Sequence, residues 1–125
     1  MQQKITTLRS PTGEDLVKLG ELEMDAGQTS AATTAFEGAR ALQGASFTHD
    51  LELGVLYLSA QHFDKARTAL DRVPSSSPDY PMALFKRAQV SVLLHEPDAA
   101  TRIDAAKKGA DAETRPLIER ENLFK

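Results

Sequence analysis

His49, His62 and His95 are the side chains of this 125-residue chain best suited to binding a metal or moving a proton near neutral pH. His62 and His95 fall in segments that read as turns between helices. Stacked turns would hold them about 10 Å apart, one helix-packing width, whereas a metal draws its ligand atoms to within about 2.1 Å of one centre. Only Asp64, Glu96 and Asp98 stand beside them as further ligands, so solvated turn histidines are the better reading. The chain has no cysteine, which removes thiol chemistry, disulfides and zinc knuckles together. It has no H-E-x-x-H, no glycine-rich phosphate loop and no serine in a nucleophile-elbow frame. Ser75, Ser76 and Ser77 lie between Pro74 and Pro78 and read as a turn. Glu21, Glu23 and Asp25 crowd one helix, but paired-carboxylate catalysis needs a cleft that raises one pKa, and a solvated helix face supplies none. The expectation is a protein without catalytic residues, metal or cofactor.

The elements that position these residues show themselves through a repeat. Gly20, Gly54 and Ala88 lie 34 residues apart, each inside a helix-like stretch, and the same step joins Ala32, Ala66 and Ala100. A small residue at a fixed helical phase lets a neighbouring helix approach closely. Two such columns at one period predict a two-helix unit built three times and stacked.

The period and pattern resemble the tetratricopeptide repeat family, which is built from 34-residue pairs of antiparallel helices. The second unit carries the resemblance best, with Leu53-Gly54, Tyr57, Ala66 and then Pro78. The first keeps Leu19-Gly20, Ala32, Phe36 and Ala39, with Glu23 in place of the aromatic and Gly44 in place of proline. The third has Arg87-Ala88 and Ser91 at the Leu-Gly and aromatic positions, and its Ile103 and Ala106 run one residue ahead of phase. Either the turn at residues 95–98 is one residue shorter or that helix is rotated. The resemblance implies an all-α, right-handed solenoid of about seven helices.

Composition agrees with helices. Hydrophobic residues make up 41% but aromatics only 6%, with no Trp, so the core must be Leu, Ala and Val packed through small-residue contacts. One domain's worth of chain is present. The net charge of −3 is spread with both signs interspersed; no basic stripe neutralises phosphates, and nucleic acid is not an expected partner. Residues 1–8 lack the apolar run of a signal peptide, and no segment has the length of a membrane span. The expected location is the cytoplasm, or the periplasm if the chain is part of a longer protein.

Residues 1–11 read as a polar extension, followed by a repeat domain over 12–125 with units at 13–46, 47–80 and 81–113. Thr12 and Asp15 form a capping-box pattern for the first helix, and Gly27 ends it. Its partner runs from Thr29 to Leu42, with Gly44 closing it. The second pair begins near Phe47 and turns at residues 60–63; the third spans 79–108. Residues 114–125 then form one more helix, with Pro116 in its first turn, either a cap over Ile103 and Ala106 or the opening of a fourth unit.

If the stack follows the family, the first helix of each pair lines a concave side. The columns there are Val17, Leu51, Phe85; Glu21, Val55, Gln89; and Met24, Leu58, Val92, with Thr48 and Met82 at the rim. Seven of these nine column positions are apolar, more than a solvated helix face shows, which points to a partner groove. The resemblance also implies a test for the subclass that clamps a carboxylate tail with Lys, Asn and Arg. The clamp positions here hold Val17, Glu21, Glu52, Met82 and Lys86, and only Lys86 is a donor, so such tails are disfavoured. The expected function is a non-catalytic module binding a peptide or amphipathic helix of another protein; self-association as a scaffold is the alternative.

Overall fold

A computed structural model describes residues 10–125. Among them are α1 (Gly13–Asp25), α2 (Thr29–Gln43), α3 (Asp50–Ser59), α4 (Phe63–Asp71), α5 (Tyr80–Leu93), α6 (Ala99–Gly109) and α7 (Arg115–Arg120), with 3-10 turns at Gly44–Ser46 and Asn122–Phe124 and no strand. One compact unit ends at His49 and holds α1 and α2; the other runs from Asp50 to Lys125 and holds α3 to α7. Apart from residues 10 and 11, the expected N-terminal extension lies outside the described residues.

In the first unit, α1 opens on the capping box. The Asp15 N–H donates to Thr12 Oγ1 at 3.1 Å, and the Thr12 N–H donates to Asp15 Oδ2 at 2.9 Å. α1 and α2 form a tight hairpin because Gly20 leaves room for the Phe36 ring; a Cβ on Gly20 would stand 3.0 Å from it. Phe36 is fully buried and has Phe47 edge-on at 6.5 Å and His49 stacked at 6.0 Å between ring centroids. This aromatic cluster explains why the second pair starts at Asp50 rather than near Phe47. Phe47 is extended, and its ring is committed to Phe36 instead of to a helix.

In the second unit, α3 and α4 repeat the same crossing one period later. A Cβ on Gly54 would meet Leu70 Cδ2 at 2.7 Å, so Gly54 and Leu70 stand where Gly20 and Phe36 stand in the first pair. Ala88, the third member of the column, is fully buried with Phe85, Ala106 and Ile118.

The helix-joining turns share one geometry that the sequence showed only at Gly27. Gly27, Gln61 and His95, spaced 34 apart, have φ of 78°, 62° and 55°. In each turn the N–H of this residue bonds three residues back, and the next N–H bonds five back: Gly27 to Met24 and Gln28 to Glu23, Gln61 to Leu58 and His62 to Tyr57, His95 to Val92 and Glu96 to Ser91. This is the Schellman stop, made twice by side chains that resist the left-handed region. After His95 the third unit departs. The Ala99 N–H bonds the Glu96 carbonyl at 3.1 Å, and Asp98 has φ −95° and ψ 14°, a type I turn with Pro97 at its favoured second position. α6 therefore enters one residue out of phase. Ala32 and Ala66 are fully buried but Ala100 is exposed, correcting the expected column, while Ala106 is buried and Ile103 half-buried.

Where the second pair has Leu53, Tyr57 and His62, the third has Arg87, Ser91 and Glu96, and these form an ionic core. Arg87, 5% exposed, donates from Nε to Asp71 Oδ1 at 2.8 Å and from Nη1 to Ser91 Oγ and to Glu96 Oε1 at 2.9 Å. Ser91 Oγ donates to Glu96 Oε1 at 2.8 Å, and Arg67 Nη1 donates to Glu96 Oε2 at 2.7 Å. The cluster ties α4 to α5 and to the turn before α6. The Arg67 hydrogen bond, followed by those from Ser91 and Arg87, holds the Glu96 carboxyl at about 2, against an ordinary value of 4.5.

Three outcomes follow from this packing. Gly54→Leu destabilises the chain by about 1–3 kcal/mol through overpacking, despite better helix propensity; an unchanged or higher melting temperature contradicts the crossing. Gln61→Gly and His95→Gly each stabilise the chain by about 0.5–1 kcal/mol, read as a higher urea midpoint at unchanged slope, because glycine adopts the left-handed region without Cβ strain; a loss of stability contradicts the shared stop. Because the Glu96 value is depressed on folding, its contribution is complete above pH 4.5 and is lost as pH falls toward 2. Glu96→Gln therefore lowers stability at pH 7 by about 1–2 kcal/mol after solvent screening and flattens the pH dependence between those limits. Denaturant titrations across pH 2–6 that leave the two proteins with parallel profiles contradict this.

Candidate binding surface

Leu51, Val55 and Leu58 lie at i, i+4 and i+7 of α3, on one helical stripe, and all three are half-buried. The stripe is apolar where a fully solvated helix would be charged. Met82, Phe85, Gln89 and Val92 make the matching stripe of α5, at i, i+3, i+7 and i+10. α3 and α5 pack against one another within this unit. Val17, Glu21 and Met24 belong to α1 in the other unit, where Val17 is buried, Glu21 exposed and Met24 half-buried.

Phe85 and Gln89 are not open to solvent as a free groove would leave them. Phe85 is 4% exposed, with the Phe124 ring edge-on to it at 5.8 Å. The Gln89 amide nitrogen donates to the Glu121 carboxylate. Met82 and Val92 remain half-buried, and Met82 packs against the same apolar cluster as Phe124. The terminal segment thus takes the middle of the α5 stripe. Lys86, the one cation among the clamp positions, places its Nζ 5.3 Å from the centre of the Phe85 ring.

The local sequence explains how this segment arrives there. Asp111 and Thr114 cap each other: the Thr114 N–H donates to Asp111 Oδ1 at 2.9 Å, and the Asp111 N–H donates to Thr114 Oγ1 at 3.0 Å. Those bonds, the backbone N–H of Thr114 first, hold the Asp111 carboxyl below its ordinary value. Pro116 sits in the first turn of α7, as expected. Ile118 and Leu117 then pack with Ala106 and Ile103, as a cap would. The expected helix over 114–124 stops at Arg120, however, because Glu121 turns extended with ψ 113°. The following 3-10 turn carries Phe124 to α5 rather than along α6. Phe124 is at i+7 from Leu117, so helical spacing alone assigned it to the same stripe, and no residue pattern marked the break.

The histidines are placed apart. His49 stacks in the Phe36 cluster, His62 lies 6.5 Å from the Tyr57 ring, and His95 forms a helix stop. Among the described residues, no three His, Asp or Glu side chains gather as a metal-ligand group. No described helix is long and apolar enough to cross a membrane.

No curated protein and no solved structure matches this chain significantly. A family model described as Tetratricopeptide repeat matches residues 17–81 and, in an overlapping second placement, residues 51–112. The two placements reproduce the register that joins Gly20 to Gly54 and Gly54 to Ala88, and they cover well over half the sequence. The chain belongs to the tetratricopeptide repeat family, whose repeats make a helical solenoid.

Proposed function

We propose that this protein is a non-catalytic interaction module that takes an amphipathic helix or an extended apolar segment of another protein on the α3 and α5 stripes. Tetratricopeptide repeats generally mediate protein–protein interaction and are typically non-catalytic. The observation that carries the finer reading is the row Leu51, Val55 and Leu58, left half-exposed on α3 and continued by Met82 and Val92 on α5. Apolar side chains that remain at a surface between two packed helices lose water on contact with an apolar partner, at roughly 25 cal/mol for each Å² covered. A helical partner would present its own i, i+3, i+4 and i+7 anchors to this row.

Val55→Glu tests the surface. It places a charge in the middle of the row at a half-buried, non-core position, so the fold is retained while partner capture falls at least about tenfold. Ala100→Glu, on the exposed face of α6, is the control and leaves capture unchanged. Equal capture by wild type, Val55→Glu and Ala100→Glu, measured quantitatively beside matched melting curves, contradicts the proposal.

A further inference from the structure

The terminal segment shows what chemistry the α5 stripe accepts. Two side chains, three residues apart, make its contacts: Glu121 accepts from the Gln89 amide, and Phe124 lies edge-on to Phe85. Between them Asn122 is exposed, and Leu123, 38% exposed, is not among the apolar side chains packed on the Phe85 cluster. The seat has one defect. Gln89 Oε1 is buried with no hydrogen-bond partner, and an unmet buried acceptor is destabilising. The occupant follows a short helix: α7 has six residues and ends where Glu121 turns extended.

Resting on the interaction reading above, we infer that the α5 seat recognises an acidic residue followed three positions later, after two unread residues, by an aromatic one, and that Glu121–Phe124 is its internal occupant. A partner segment carrying Glu-x-x-Phe, with one N–H placed for Gln89 Oε1, makes the same two contacts, satisfies the buried acceptor and displaces the tail. The tail then sets a threshold: the apparent affinity of any such partner is reduced by the fraction of molecules in which the seat is already filled.

The probe is a fluorescent peptide of residues 119–125, Glu-Arg-Glu-Asn-Leu-Phe-Lys, titrated by anisotropy against the 125-residue proteins. Phe124→Ala empties the seat and binds the peptide about tenfold more tightly than wild type. Leu123→Ala, at a side chain outside the Phe85 cluster, binds as wild type does. Glu121→Ala, which keeps Phe124 in the core cluster, gives a smaller gain and serves as the second variant if Phe124→Ala loses cooperative melting. A peptide with alanine for phenylalanine, or the addition of Gln89→Leu to either variant, weakens binding. No gain in Phe124→Ala and Glu121→Ala, or equal gain in Leu123→Ala, overturns the inference. If that happens while Val55→Glu still abolishes partner capture, the seat falls and the wider surface stands. The reverse pattern keeps the seat and removes the wider surface.

Discussion

The structure depends on one steric constraint, the absence of a side chain where the two helices of a pair cross. A Cβ at Gly20 would press on the Phe36 ring, and a Cβ at Gly54 would overlap Leu70. The large residue lies 16 positions after the small one in both pairs, so each hairpin closes at the same depth. That depth places the turn, and the turn places the left-handed stop at Gly27, Gln61 and His95. Glycine inside a helix costs about 1 kcal/mol of propensity; here the close approach offsets it by burying Phe36 and Leu70 almost completely.

The third pair keeps this frame with different chemistry. Tyr57 lies against His62 in the second pair, and one period later Ser91 donates to Glu96. Leu53, 1% exposed, becomes Arg87, 5% exposed. The substitution is tolerable because every charge in the cluster has a partner: Arg87 has Asp71 and Glu96, while Glu96 also has Arg67. Such a cluster is specific more than stabilising, since the cost of burying Arg87 and Glu96 offsets much of what their pairing contributes. It also leaves the opposite stripe of α5 free for apolar residues, and those receive the terminal segment.

Much of the fold was legible because it rests on spacing. The step between Gly20, Gly54 and Ala88, the Thr12–Asp15 cap and the turn around Pro74 and Pro78 are local signals, and each has its counterpart in the structure. Two features were not legible for physical reasons. Gln61 and His95 adopt a conformation that their side chains oppose, so composition hid two of the three stops. Arg87 and Ser91 read as departures from the repeat and Glu96 as a turn carboxylate; only their mutual distances show the cluster. The surface was legible in part. Leu51, Val55 and Leu58 stand half-exposed on one stripe, but Phe85 and Gln89 are covered by Phe124 and Glu121. That cover depends on a single backbone break at Glu121, which side-chain periodicity does not encode.

If the third pair is the second with an ionic core in the same register, the core is exchangeable as a set. Grafting the second pair's residues, Arg87→Leu with Ser91→Tyr and Glu96→His, tests this in a mutant cycle read by urea denaturation at pH 7. Arg87→Leu alone leaves Glu96 to Arg67 and Ser91 and costs about 1–3 kcal/mol through the lost buried hydrogen bonds, whereas the triple substitution returns to wild-type stability or above, as replacements of whole buried ionic clusters do. A triple variant that loses as much as the sum of its single substitutions would contradict the shared register, and with it this account of the fold.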